Sequence, residues 1–525
     1  MGERLYNGIE LNDEWPPRNI PADRNQAMRV PYLERKPEVI DIDLGRQLFV
    51  DDFLVANTNL TFHYHQPVKC PMNPLFFPEK PWEMSELYGP TCIPKCGGIW
   101  YDDLDGFFKM WYLSSYTGNE AYAISKDGLH WERPELDIVP GTNLLFPEGS
   151  IRPDSGTAWI DFECENPEQR YKLLIREVDT VMHKQGNRGA RMMTSRDGIY
   201  WSKPVLTSDM DDRSTMFKNR FRGKWIQSIR GYLGTVGRCR YYWEHSDFLP
   251  SGNWSNPPFW ACADCFDQGN ELNAQLYNLD ANSYESLMVG FYQIFRGPEN
   301  HVGRATGQPK LTELVLATSR DGFHWHRPDR RSFIGANRRP GFWDNGYVEA
   351  TGGILLVVGD ELWIYYSAYG GDETCTNMPD WCRDGMYSNG AVGLAKLRRD
   401  GFASLHSSWH GGYVRTRNVR FSGGHFFVNA NTVGTRLTVA VMDESGKIIP
   451  GFEHENCTGF LGNSVKAPIA WKTADLATLA GRVVQFDIRL NRGDLYAFWV
   501  SQRSTGESGG YLAAGGPGYK NACDK

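Results

Sequence analysis

The sequence predicts an all-β chain, a five-bladed β-propeller followed by a β-sandwich, and three observations carry that expectation. First, one segment recurs with its chemistry intact: Ser125-Lys126-Asp127-Gly128-Leu129-His130-Trp131, Ser195-Arg196-Asp197-Gly198-Ile199-Tyr200-Trp201 and Ser319-Arg320-Asp321-Gly322-Phe323-His324-Trp325. Second, 18 Trp, 25 Tyr, 27 Phe and 55 Gly in 525 residues favour sheets and turns over helices. Third, beyond Leu405 the recurring segment stops and strand-like alternation takes over.

Residues 1–44 are polar and Pro-rich and read as an N-terminal extension. Residues 45–405 read as the propeller. Asp-Gly between apolar runs marks a turn between strands, because Gly accepts positive φ and Asp bonds nearby backbone N–H groups, while the Trp packs between sheets. Pro134, Pro204 and Pro328 each follow a Trp by three residues, and weaker copies at Ser246-Asp247-Phe248 and Arg399-Asp400-Gly401-Phe402 bring the count to five. Two further strand-like runs precede each turn, for example Ile99–Tyr101 with Phe107–Leu113. Four strands per unit at a spacing of roughly 50–80 residues read as blades. Residues 406–510 alternate as a packed sandwich does and read as structural, and the Gly-rich residues 511–525 read as a flexible tail.

A net charge of -7 with scattered Lys and Arg offers no footprint for nucleic acid or a membrane surface, and no run of apolar residues is long enough to span a bilayer. The chain as it stands shows no signal segment, and its compartment is left open between cytoplasmic and secreted. Eleven cysteines form no disulfide framework, and the close pairs such as Cys262 and Cys265 lack a His at ligand spacing, so neither a metal nor a cofactor is expected. The expected partner is an oligosaccharide or glycoside, with homo-oligomerisation left open.

Loops entering the inner strand of every blade converge on one mouth of a propeller, so reactive groups belong just before those strands. That address holds Asp154 in the second blade, Asp211 and Asp212 in the third, Glu271 in the fourth, and Asp344 and Glu349 in the fifth; Glu83 and Glu86 lie on a longer approach to the first. Glycoside cleavage needs one carboxylic acid to protonate the leaving oxygen and another carboxylate to attack the anomeric carbon or activate water. Asp154, Asp212 and Glu271 are therefore the expected catalytic residues. Trp82, Glu86, Arg152, Trp343, Asp344 and Glu349 are expected to bind substrate. For any single carboxylate, capping a strand-entry loop is the competing reading. Arg152, Arg176 and Arg230 suit either a substrate anion or a neighbouring Asp. No nucleophile elbow, Walker loop, His-Glu-x-x-His or Rossmann fingerprint is present, which removes support for acyl transfer, nucleotide use and zinc proteolysis.

These features together resemble the five-bladed propeller glycosidases, which include glycoside hydrolase families 32, 43, 68 and 130. The resemblance is greatest to family 32-like proteins, which join such a propeller to a C-terminal sandwich, and it runs from about Leu44 to Val500. Leu48-Phe49-Val50-Asp51-Asp52, Phe108-Lys109-Met110-Trp111-Tyr112 and Gly359-Asp360-Glu361-Leu362-Trp363 look like segments of that group. It implies that Asp154 stands where the family has the Asp of Arg-Asp-Pro and Asp212 where it has the Glu of Glu-Cys, although this chain reads Arg152-Pro153-Asp154 and Asp211-Asp212-Arg213. The implied activity is hydrolysis of a furanoside or related glycoside. A phosphorylase of the same fold and a non-catalytic carbohydrate-binding protein are the alternatives.

Overall fold

The computed structural model describes residues 2–85, 89–178, 188–269, 273–376 and 385–525. Five separate antiparallel sheets have inner strands Cys92–Asp102, Pro153–Ile160, Thr215–Asn219, Gln275–Glu285 and Gly346–Ala350. Each inner strand touches the next. Trp100 Nε1 donates to Ala158 O (3.1 Å), the Arg213 amide to Ser155 Oγ (2.8 Å), Thr215 Oγ1 to Asn278 Oδ1 (3.1 Å) and Asn282 Nδ2 to Gly353 O (3.1 Å). The Ile99 amide, donating to Gly352 O at 3.0 Å, returns the circuit to its start. This ring is the five-bladed propeller.

The recurring turn lies between the third strand of a blade and the segment that follows it. Ser195 Oγ accepts from the Gly198 amide (2.9 Å), and Asp197 Oδ1 accepts from the amides of Ile199 and Tyr200 at 2.8 and 2.9 Å. Ser125 with Asp127 and Ser319 with Asp321 repeat the pattern, and the three glycines sit at φ +73°, +79° and +80°. Side chains from a neighbouring blade hold each turn. Trp111 Nε1 donates to Gly198 O, Tyr365 OH to Gly128 O and Trp260 Nε1 to Phe323 O, at 2.6 to 2.8 Å. The repeats therefore join blade to blade.

Three boundaries differ from the sequence expectation. The first blade has three strands, its fourth reduced to the isolated bridges Ala121–Leu144 and Ile124–Glu132. The outer strand of the fifth blade, Val68–Lys69, comes from the start of the chain and closes the ring against Gly390–Arg398. The strands Ile40–Asp41, Val55–Thr58 and Thr61–Tyr64 leave the N-terminal part of the chain to pair with Val419–Arg420, Gly412–Thr416 and Ala403–Ser407. They complete the second domain, a curled sheet wrapped on a core that includes Phe426, Phe486 and Phe498.

The last residues are not a loose tail. Tyr511–Leu512 pairs with the end of the fourth inner strand, Ala514 O accepts from the Tyr101 amide, and Gly515 O accepts from the Val357 amide. Arg220 Nη1 donates to Ala522 O at 3.0 Å. The segment caps the propeller at the exit ends of its inner strands. Glycine there permits close approach rather than motion, since a Cβ at Gly516 would lie 1.7 Å from Val357 O. Among the described residues no helix is long and apolar enough to cross a membrane.

Candidate functional site

At the opposite, entry end of the inner strands, irregular pairing decides which side chains face the mouth. Strand register slips between Ile93 and Gly98, between Pro153 and Ser155, between Leu276 and Asn278, and between Gly346 and Glu349. The residues left out of register include Lys95, Asp154, Tyr277 and Tyr347. A bulge at a strand entrance turns a side chain that regular alternation would have sent elsewhere. In the third blade Arg213 at φ +55° does the same just before Thr215.

These groups form an arc of alternating charge. Lys95 Nζ lies 3.4 Å from Asp154 Oδ1 and donates to Tyr116 OH at 3.2 Å. Arg176 bridges Asp154 Oδ2 (3.5 Å) and Asp211 Oδ1 (3.8 Å). Arg230 in turn bridges Asp211 Oδ2 (2.8 Å) and Asp212, with which it is in direct contact. Deeper down, Arg213 Nε faces Glu349 Oε1 at 3.5 Å. Accessibility falls along the arc, from side-chain exposures of 46% at Asp211 and 34% at Asp212 to 13% at Asp154 and none at Glu349. Asp154 is therefore at the boundary between solvent and interior.

Burial raises the Asp154 pKa, but Lys95 and Arg176 outweigh it and hold the carboxyl below the ordinary range. Burial likewise works against the charge on Lys95, and Asp154 and Glu349 more than offset it. Further in, burial raises the pKa of Asp280, whose Oδ2 accepts from Asn278 Nδ2 at 2.7 Å. Arg240 is buried beside two like charges; burial first, then Arg230 and Arg213, push its pKa down to about 9.

A tyrosine cluster forms the other wall. Tyr277 OH accepts a hydrogen bond from Lys310 Nζ at 3.0 Å and lies 3.0 Å from Tyr347 OH, while Tyr116 and Tyr387 stack at 4.2 Å. Lys310 sits over the rings of Tyr277, Tyr347 and Tyr387. Burial disfavours a phenolate at Tyr277, yet Lys310, Lys95 and Arg238 prevail and bring its pKa down to about 7. Because the folded value lies below the ordinary one near 10, the native chain loses this proton first. The linked stability is complete above about pH 10 and fades as the pH falls through about 7. Near-ultraviolet difference absorbance should show one phenolate appearing around pH 7 that Tyr277→Phe removes. A first phenolate seen only near pH 10 would contradict this assignment.

Of the residues expected from sequence, the structure brings Asp154, Asp212 and Glu349 into the arc. Glu271 and Glu86 lie outside the described residues. Trp82 donates from Nε1 to Asn143 Oδ1 at 2.8 Å and packs against the blade core. Asp344 is buried and binds Lys69 Nζ at 2.6 Å, so it fastens the closing strand of the fifth blade. Trp343 packs on Tyr366 at 5.4 Å. The Arg152 amide donates to Glu177 Oε1 at 3.2 Å, and its side chain is half-buried. Lys95, Tyr277, Lys310 and Arg213 carry no sequence signal of their own, because the strand-entry pattern is one of acidic residues and these are basic or phenolic.

No protein-family model matches the chain, and no curated protein matches it. Among solved structures, it is similar to an N-acetylgalactosamine deacetylase from F. plautii, at 15% identity over 66% of this chain and 96% of that one, with a TM-score of 0.42. A Bombyx mori GH32 β-fructofuranosidase is 11% identical over 85% of this chain and 96% of its own, with a TM-score of 0.36. A β-1,2-mannobiose phosphorylase from Listeria innocua is 11% identical over 63% and 96%, with a TM-score of 0.39.

Proposed function

We propose that the chain hydrolyses glycosidic bonds at the propeller mouth, with Asp154 as the base or nucleophile and Asp212, once substrate binding releases it from Arg230, as the acid that protonates the leaving oxygen. The observation that carries the reading is Asp154 itself: a partly accessible carboxylate, lifted out of strand register at the mouth and kept ionised by Lys95 and Arg176. Asp212 lies one step beyond Asp211 on the arc, the two carboxylates sharing Arg230. Water adds its hydroxyl to the anomeric carbon, directly or after a glycosyl intermediate on Asp154, and the leaving oxygen takes the proton. Glu349, fully buried, acts in this reading by holding Arg213 in place rather than by meeting the sugar. Tyr116 and Tyr387 are nearly buried and serve the same wall. A furanoside or related non-reducing-end sugar is the proposed substrate, on the resemblance to family 32-like proteins.

A phosphorylase is the second reading, favoured by the cations of the inner mouth, where Lys310 is surrounded by tyrosines and Arg240 is repelled by Arg213 and Arg230. Arg230 is already held by two aspartates, which leaves Lys310 as the better candidate for an inorganic phosphate oxygen. Sugar release from a panel of aryl furanosides, aryl pyranosides and oligosaccharides, with and without phosphate, separates the two. Release in phosphate-free buffer is the expected result. Release only with phosphate would support the phosphorylase, and binding on a glycan array without turnover would defeat both.

A further inference from the structure

Three adjacent strands of the curled sheet, Thr61–Tyr64, Ala403–Ser407 and Gly493–Ser501, place Thr61 opposite His406, His63 opposite Ser404, and His406 opposite Asp494. Because side chains alternate, Leu405 and Leu495 enter the core, and His63, Ser404, His406 and Asp494 share the outer face. One potential ligand atom from each of His63, His406 and Asp494 lies within 4.8 Å of the others. His406 Nδ1 and Asp494 Oδ1 are already 3.0 Å apart, and the two imidazoles stack at 4.2 Å with 11° between their planes.

The supporting residues are also in place. Ser404 Oγ donates to Asp494 Oδ1 at 2.8 Å and lies 2.9 Å from His65 Nε2, so the carboxylate is oriented from behind. Two imidazole nitrogens and one carboxylate oxygen suit a borderline divalent ion rather than calcium or magnesium, and three protein donors with an accessible side leave a fourth position for water. Ligand atoms around a tetrahedral zinc stand about 3.4 Å apart, given bonds of roughly 2.1 Å. The parallel stack does not itself converge on an ion, because each nitrogen lone pair lies in its own ring plane; the exposed His63 side chain must turn off the His406 ring to present a nitrogen to the site.

We infer that His63, His406 and Asp494 form a binding site for a divalent transition-metal ion of the zinc class. The site has a structural consequence. Thr61–Tyr64 leads into Val68–Lys69, the strand that closes the fifth blade, and Ala403–Ser407 follows Gly390–Arg398, the strand against which it closes. An ion here cross-links the entry to the propeller with its exit.

The full chain, stripped with EDTA, is titrated with zinc chloride by calorimetry and by thermal melting. One saturable equivalent and a rise in melting temperature are expected. His63→Ala, His406→Ala and Asp494→Asn should each weaken uptake at least tenfold and remove the thermal shift. Cobalt bound at the site should lack the sulfur-to-metal charge-transfer absorption that a site at Cys262 or Cys265 would show. If His406→Ala fails to fold, His63→Ala, altered only on the exposed face, decides the matter. Zinc uptake unchanged in His63→Ala, or no saturable uptake by the parent chain, would overturn the inference.

Discussion

Asp154→Asn is expected to lower sugar release about 10³-fold, with kcat carrying most of the loss, because the substitution removes the ionised oxygen while keeping the shape of the side chain. The two cations that hold Asp154 would then face a neutral amide, so the variant's melting curve is measured beside its kinetics; a folded protein without turnover is the expected outcome. Lys95→Met supplies an independent reading. Lys95 lowers the Asp154 pKa, so its removal must raise it and move the acid limb of the kcat/KM profile to higher pH. Wild-type turnover in Asp154→Asn, or an acid limb that does not move, would take Asp154 out of the chemistry.

Deleting residues 511–525 is expected to destroy the fold rather than merely shorten it. Leu512, Ala513 and Ala514 are buried, and Asp524 lies 2.9 Å from Arg399 inside a cluster where Arg46 also meets Asp400 at 2.9 Å and Arg399 meets Glu285 at 3.0 Å. Tyr284 OH and Ser508 Oγ donate to Asp400 and Glu285, both at 2.6 Å, which completes a network joining the fourth blade, the curled sheet and both ends of the chain. Removing one member of a buried ion network leaves its partners unpaired, at a cost of about 3–5 kcal/mol. Truncation also uncovers the apolar ends of the inner strands. Arg399→Ala should therefore shift urea unfolding by that amount, and the truncated chain should be recovered mainly as aggregate. A truncated chain that unfolds at the parent's denaturant midpoint would refute this account.

The acidic strand entries were legible in the sequence where the carboxylate lines the mouth. Asp154 and Asp212 could be placed from their position before an inner strand, and both join the arc. Asp344 occupied a similar address and turned outward to Lys69, because the strand it fastens comes from some 275 residues earlier in the chain. Lys310 and Tyr277, 33 residues apart, meet only because the bulge at Leu276 and Asn278 turns one phenol inward. No periodicity of charge or hydropathy marks such a bulge.

The sequence by itself determined the turn in three of the five units, since those hydrogen bonds run between atoms two or three residues apart: Ser195 to Gly198, Asp197 to Ile199 and Tyr200; the weaker copy at Asp400 instead spends its carboxylate on Arg46 and Tyr284. Local interactions leave a local pattern. Tertiary structure alone decided the rest: which strand closes the ring, that a Gly-rich end becomes a buried cap, and that Lys95, Asp154, Tyr277 and Glu349 share one mouth. Those outcomes depend on close approach and on Coulomb interactions between groups far apart in the chain, whose strength is set by distance and burial, and neither is defined until the blades have packed.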